Sequence, residues 1–215
     1  KIIKAINYEH HWLTRFLKNN AIDAVISDNR FGLWTKTVPC VYITHQLNLH
    51  SPNFALTILG QKVHYSFINR YTECWVPDYE ENGIAGKLSH PIHPPKTPLK
   101  YIGPLSRLKK KKSKKELDIF VALSGPEPQR TIFEKILAPQ IKKSGLKSVF
   151  VRGLPSEIKT SYTDNDHFKM YNHLPSAQFN EMMQKAEMVI CRSGYSSVMD
   201  LIVLGQKAIL VPTPG

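Results

Sequence analysis

The chain has 215 residues, of which 42% are hydrophobic, with a formal net charge of +12 and three cysteines. That length holds one large or two small domains with a buried core, and no apolar run approaches the roughly 20 residues that span a bilayer, which leaves only peripheral membrane contact. Cys40, Cys74 and Cys191 are widely spaced in apolar runs, a usage that speaks against a disulfide framework or a zinc cluster and fits a reducing cytoplasm.

In chain order, residues 1–20 predict an amphipathic helix with Ala5, His11, Trp12, Phe16 and Leu17 on one side. Residues 22–27 read as a buried strand ending at Asp28-Asn29-Arg30, and residues 39–44 as another ending at His45-Gln46. A helix is expected over 54–70, then short strands over 73–77 and 99–104. Between Gly103 and Glu116 the apolar pattern lapses into Pro, Ser and Lys, the best linker candidate in the chain. The alternation then restarts. A strand over 117–123 is followed by a helix marked by Ile132, Phe133, Ile136, Leu137 and Ile141, which ends near Ser144-Gly145. Strands over 148–152 and 168–171 follow, and Phe179, Met182, Met183 and Ala186 mark the next helix. Last come a strand over 188–191, a break at Arg192-Ser193-Gly194, a helix bearing Val198, Leu201 and Ile202, and a strand from Lys207. Strands alternating with helices predict an α/β protein with parallel sheets in two Rossmann-like domains, over 1–103 and 117–215, joined by a basic linker over 104–116.

Much of the positive charge sits between Arg107 and Lys115, where six lysines are packed together. A solvated linker, a contact with an acidic membrane and nucleic-acid binding all fit such a run. No aromatic residues are interleaved with these lysines, as single-strand binders usually have, so nucleic acid is not expected.

Ligands of parallel sheets bind beyond the carboxyl ends of the strands. The break at Arg192-Ser193-Gly194 places small residues at a helix start, where unpaired amides and the helix dipole favour an anion such as a phosphate. Asp200 follows seven residues after Ser193, close to two turns and roughly 10 Å along the same face. The pair suits a ligand with phosphate at one end and sugar hydroxyls at the other; a plain βα unit with an exposed Asp fits too. Ser124-Gly125 lets backbone approach a ligand and Arg130 stands one turn into the following helix, although a merely structural turn is also consistent. Asn172-His173 and the strand-end residues Asp28 and His45 are the remaining loop candidates, each with a bland reading as turn, cap or packed residue. The other histidines show no second ligand at metal spacing, and no metal site is expected.

Cys191-Arg192-Ser193-Gly194, the acidic residue at Asp200, Gly205 and the following strand ending in Val211-Pro212-Thr213-Pro214 together resemble the C-terminal domain of MurG-like glycosyltransferases, family 28, which have the GT-B fold and use UDP-sugars. The likeness is good from about Leu117 to Gly215 and only architectural before it. It implies that Asp200 binds the ribose hydroxyls and that Arg192, Ser193 and Gly194 face the diphosphate. It sets Ser124, Gly125 and Arg130 beside the same diphosphate, in a loop that departs from the family's Gly-Gly-Ser-x-Gly-x-Arg at Pro126, Glu127 and Pro128. Two of those departures remove amide donors. The uracil edge falls to the backbone near Asn172 and His173, and Asp28 and His45 become the candidates for general base on the acceptor side.

On this resemblance the two Rossmann-like domains are both truncated: the first lacks the family's opening strand and glycine-rich loop, and the second stops before the loop that contacts the donor sugar. The expected function is inverting, metal-independent transfer of a hexosyl group from a UDP-sugar to a hydroxyl of a lipid-linked or glycan acceptor. No cofactor is expected besides the donor. The expected location is the cytoplasm, extending to peripheral contact with the inner face of an acidic membrane. Nucleotide-sugar hydrolysis or epimerisation on the same fold, and a non-enzymatic polyanion-binding module, are the alternatives.

Overall fold

The computed structural model describes residues 1–155, 161–165 and 167–212. The chain divides into two units, Lys1–Leu105 and Ser106–Gly215.

The first unit opens with helix α1 (Ile2–Asn19), which buries Ile6 and Leu13. The buried stripe is displaced from the face expected from sequence, since Trp12 and Phe16 stack on each other and remain partly exposed. Strands β1 (Val25–Asp28) and β2 (Cys40–Ile43), helix α2 (Phe54–Ile68), β3 (Glu73–Val76) and β4 (Leu99–Tyr101) complete the unit. The four strands form a parallel sheet in the order β1-β2-β3-β4. Its core is Cys40, Tyr42, Leu47, Ile68, Tyr71, Cys74 and Val76.

The second unit holds β5 (Leu117–Ala122), α3 (Gln129–Ser144), β6 (Ser148–Val151), β7 (Ser161–Asn165), β8 (Phe168–Tyr171), α4 (Ser176–Lys185), β9 (Ala186–Arg192), α5 (Tyr195–Leu204) and β10 (Ala208–Val211). The sheet order is β10-β9-β5-β6-β8-β7. All pairs are parallel except β7 with β8, an antiparallel edge.

Central strands buried on both faces read as continuous apolar runs, and alternate residues serve opposite faces. Phe120, Val149, Val151, Val189 and Cys191 pack with Met183, Leu201 and Leu204 on one face. Val121, Phe150 and Ile190 pack with Phe133, Ala138 and Ile141 on the other. Phe120 and Phe150 are fully buried, and each such burial stabilises by about 2–3 kcal/mol.

The basic stretch between the two predicted domains does not run free of the second unit. Leu108 is only 3% exposed within that unit's core, and the backbone around it is hydrogen-bonded to α4. All three cysteines are free and buried.

Candidate functional site

In the second sheet the chain runs from β5 outward through β6 to β8, then returns to β9 on the other side of β5. The strand order therefore reverses between β5 and β9, the kind of point where open α/β sheets bind ligands. The register pairs Ala122 with Cys191, so the segments beginning at Leu123 and Arg192 leave the sheet side by side. Val151 pairs with Ala122 and with Tyr171, which brings the segments starting at Arg152 and Asn172 to the same edge. Four of the loops singled out from sequence or adjoining them thus share one rim.

At that rim Ser193 extends the sheet, its amide donating to the Val211 carbonyl at 3.3 Å. Gly194 is the N-cap of α5, no side chain caps the helix, and the first bond back to it is from the Val198 amide, at 3.0 Å. The amides of Ser196 and Ser197 have no acceptor among the described residues. With the helix dipole behind them, amides left this way favour an anion. Gly194 has φ −64°, and a Cβ placed there would meet nothing within 4 Å. The fold itself therefore does not require glycine at this position; what its missing side chain leaves open is the approach to the amides.

Asp200 lies on the same face of α5 as Ser196 and Ser197, four and three residues behind it. One carboxylate oxygen accepts from the Ser106 hydroxyl at 2.5 Å, and that hydroxyl in turn accepts from the Leu108 amide at 3.0 Å. The other carboxylate oxygen has no hydrogen-bond partner among the described residues. Burial, and then the charge of Asp200, push the Cys191 thiol up to about 11.

The arginines expected at the diphosphate are turned inward. Arg130 is 5% exposed and donates to Glu127 at 2.6 Å, to Glu134 at 2.6 Å and to the Arg152 carbonyl at 3.3 Å. Burial alone would lower its pKa, but Glu134 and Glu127 outweigh that and raise it. Arg192 donates to the carbonyls of Pro212 (2.7 Å) and Gln129 (3.3 Å) and lies over the Phe133 ring at 4.3 Å. Both guanidiniums brace the rim from behind. Glu127, one turn before Arg130, supplies a carboxylate that holds the first.

Ser124 and Gly125 are exposed at the rim, and Gly125 has φ +107°. The Asn172 side chain is buried and accepts from Arg152 at 2.8 Å, while its carbonyl accepts from the Leu154 amide at 2.7 Å. His173, next in line, is exposed. Gly153 is required by geometry: it has φ +74°, and a Cβ there would lie 2.6 Å from the Leu123 carbonyl oxygen.

In the first unit, Asp28 and His45 come to the carboxyl edge of the sheet, since Asp28 pairs with Ile43 two residues before His45. Asp28 is exposed and His45 half-buried. Burial lowers the His45 pKa, with Asp78 and Asp28 pulling the other way. Asp78, which sequence reading passed over, follows β3 at this edge and is fully buried. Burial pushes its carboxyl up. Bonds from the Ser89 hydroxyl (2.6 Å) and the amides of Ile84 (2.7 Å), Ala85 (3.0 Å) and Tyr79 (2.8 Å) outweigh it and bring it below the usual value. Its position directly after an apolar strand was the available signal.

Beside this edge an apolar cleft of about 780 Å³ opens between α1 and α2, lined by Ile2, Ile6, Phe31, Val63 and Phe67, with Asn29 and Gln46 from the strand ends. His64 also lines it, is 7% exposed and has an enclosed Nδ1 with no hydrogen-bond partner among the described residues. Burial lowers its pKa, so the ring is neutral near pH 7.

Residues 145–215 match the model of the glycosyltransferase family 28 C-terminal domain. No curated protein matches the chain at a significant level. Among solved structures, Phytolacca americana UGT2 complexed with UDP-2fluoro-glucose and pterostilbene superposes with a TM-score of 0.56 at 14% identity, covering 99% of this chain and 61% of that one. Spinosyn rhamnosyltransferase SpnG complexed with thymidine diphosphate gives 0.52 at 13% identity, with 99% and 60% covered. Spinosyn forosaminyltransferase SpnP gives 0.53 at 11% identity, with 96% and 60% covered. The chain spans about three fifths of the length of these structures. The uncapped helix start and the aspartate on its face lie inside the matched segment, next to the switch point between β5 and β9: the chain has the GT-B fold of the structures it superposes on, and its residues 145–215 are similar to the glycosyltransferase family 28 C-terminal domain.

Proposed function

We propose that the chain is the core of a glycosyltransferase that moves a hexosyl group from a UDP-sugar to a hydroxyl of a glycan or glycolipid acceptor, with inversion. The carrying observation is the α5 start, where the amides of Ser196 and Ser197, without an acceptor among the described residues, lie next to a side-chain-free Gly194 and on the same face as Asp200.

In this reading the α5 amides, with Ser124 and Gly125 across the switch point, take the diphosphate. The free oxygen of Asp200 takes the ribose hydroxyls, held in place by Ser106. Exposed backbone at His173 meets the base. Arg130 and Arg192 support the rim instead of touching phosphate. The charge developing on the leaving UDP is met by oriented amides, so the reading uses no catalytic metal and no cofactor beyond the donor. In this reading His45, whose pKa is lowered by burial and which is flanked by Asp28, accepts a proton from the attacking hydroxyl. The apolar cleft beside it suits an acceptor with a hydrophobic body, a reading that agrees with a cytoplasmic enzyme working on membrane-derived acceptors.

UDP release from a UDP-sugar, measured with and without a hydroxylated acceptor, tests the reading. Acceptor-dependent release that falls at least tenfold in His45→Ala is expected. Release that proceeds equally without acceptor, whatever the residue at 45, would assign the fold to hydrolysis.

A further inference from the structure

The stretch 107–115 carries Arg107 and six lysines, and the transferase reading makes no use of it. A solvated linker needs no fixed path, yet this segment has one. The Asn180 and Gln184 side chains of α4, 9% and 5% exposed, both donate to the Lys109 carbonyl at 3.1 Å. Gln184 also accepts from the Lys111 amide at 2.6 Å. Leu108 is buried in the core, and the Lys115 ammonium is tied to the carbonyls of Gln184 (3.1 Å) and Ala186 (2.6 Å) and to Gln206 (3.0 Å). Two buried amide side chains thus serve to hold the backbone of a strap that leaves Lys109, Lys110, Lys111, Lys112 and Lys114 exposed.

What the strap displays is charge alone. Lys109, Lys110, Lys111, Lys112 and Lys114 are exposed, and no carboxylate lies at salt-bridge distance from any of them among the described residues. Glu116 and Glu181, beside the strap, pair with Lys185 at 3.2 and 2.8 Å, and Glu181 feels Lys111 only as a longer-range charge. Because strands start and helices end at this edge of the sheet, Lys142, Lys143 and Lys207 add to the same side. A cleft of about 550 Å³ walled by Lys110, Lys111, Lys112 and Gln206 leaves room for an anionic headgroup among the ammonium groups.

We propose that this strap is a docking surface for an anionic lipid membrane. A protein partner is recognised through buried aromatic or arginine anchors, and the strap has no apolar side chain left exposed among its lysines, Leu108 being buried. A single-stranded nucleic acid would call for stacking rings, which are absent from 107–115. Dense, unpaired lysine charge without anchors matches the diffuse field of an acidic lipid surface. The strap lies where β5 and β9 begin, the opposite edge from the candidate nucleotide rim, so membrane contact there leaves that rim uncovered. The inference does not depend on the reaction the rim performs.

Co-sedimentation of the full chain with phosphatidylcholine vesicles and with phosphatidylcholine–phosphatidylglycerol vesicles provides the test. Binding is expected only to the anionic vesicles, weakening with salt, and each neutralised lysine costs roughly fivefold in partitioning. Changing Lys109, Lys110, Lys111, Lys112 and Lys114 together to Gln abolishes it, with the melting temperature serving as the folding control. Changing five exposed lysines of the first unit, Lys18, Lys36, Lys62, Lys87 and Lys96, to Gln leaves binding in place. Equal loss in both variants, binding to neutral vesicles, or tighter binding to poly(U) than to anionic vesicles at the same salt would overturn the proposal.

Discussion

Arg130 shows what a single residue type says and what it leaves open. An arginine one turn past a small-residue loop at a strand end reads as a phosphate ligand, and nothing in its immediate sequence says otherwise except Glu127 and Glu134 at helical spacing. Those two carboxylates take its guanidinium. Arg130→Met is therefore expected to destabilise the protein by about 3 kcal/mol, because Glu134 stays behind partly buried with Arg152 as its remaining partner. Nucleotide affinity, once corrected for the folded fraction, is expected to change little; chemical denaturation and a UDP titration check the two halves. Asp78 offers a second residue-scale expectation. Its folded-state pKa lies below the ordinary carboxylate value, so its contribution is complete above about pH 4 and fades as pH falls through the depressed value. Asp78→Asn is expected to lose about 1–3 kcal/mol at neutral pH, with the gap to wild type closing in acid. Unfolding midpoints measured from neutral to acid pH would show that convergence.

At the scale of elements, the alternation of strands and helices was legible because parallel strands covered on both faces leave unbroken apolar runs. The order of those strands was not. Nothing local tells β9 to pair with β5, yet that pairing creates the switch point and sets Ser124-Gly125 beside Ser193-Gly194. The antiparallel β7 adds an edge strand that the alternating pattern did not announce. The Ser106–Asp200 bond joins residues 94 positions apart, across a segment whose composition read as linker. Gly153 ties strand geometry to the rim. Gly153→Ala places a methyl group against the Leu123 carbonyl in a left-handed backbone. A loss of about 2–4 kcal/mol is expected, with disturbance of the loops after β5 and β6 visible in their amide NMR shifts. An unchanged unfolding midpoint would contradict the close approach.

For the whole molecule, the two units divide the chemistry. The first offers an apolar cleft next to a neutral histidine and exposed carboxylate at a sheet edge. The second offers an uncapped helix start with an aspartate hydrogen-bonded to Ser106. The candidate donor site was legible in the sequence as far as Ser193, Gly194 and Asp200, where spacing along one helix fixes the geometry. In the first unit the sequence pointed to Asp28 and His45 at the strand ends but not to the apolar cleft beside them, because that cleft is built from α1, α2 and two strand ends that meet only in the fold. The donor assignment is also the claim on which the functional account rests.

Calorimetric titration of UDP into the chain, into Asp200→Ala and into Gly194→Ala tests it most directly. Loss of a charge-assisted bond at the ribose is expected to weaken binding by about 1.5–3 kcal/mol, roughly ten- to a hundredfold. Gly194→Ala is expected to weaken it about tenfold by crowding the α5 amides, at an unchanged melting temperature, since the added methyl group meets no protein atom within 4 Å. UDP binding of equal strength to all three proteins would contradict the assignment of this helix start as the nucleotide site.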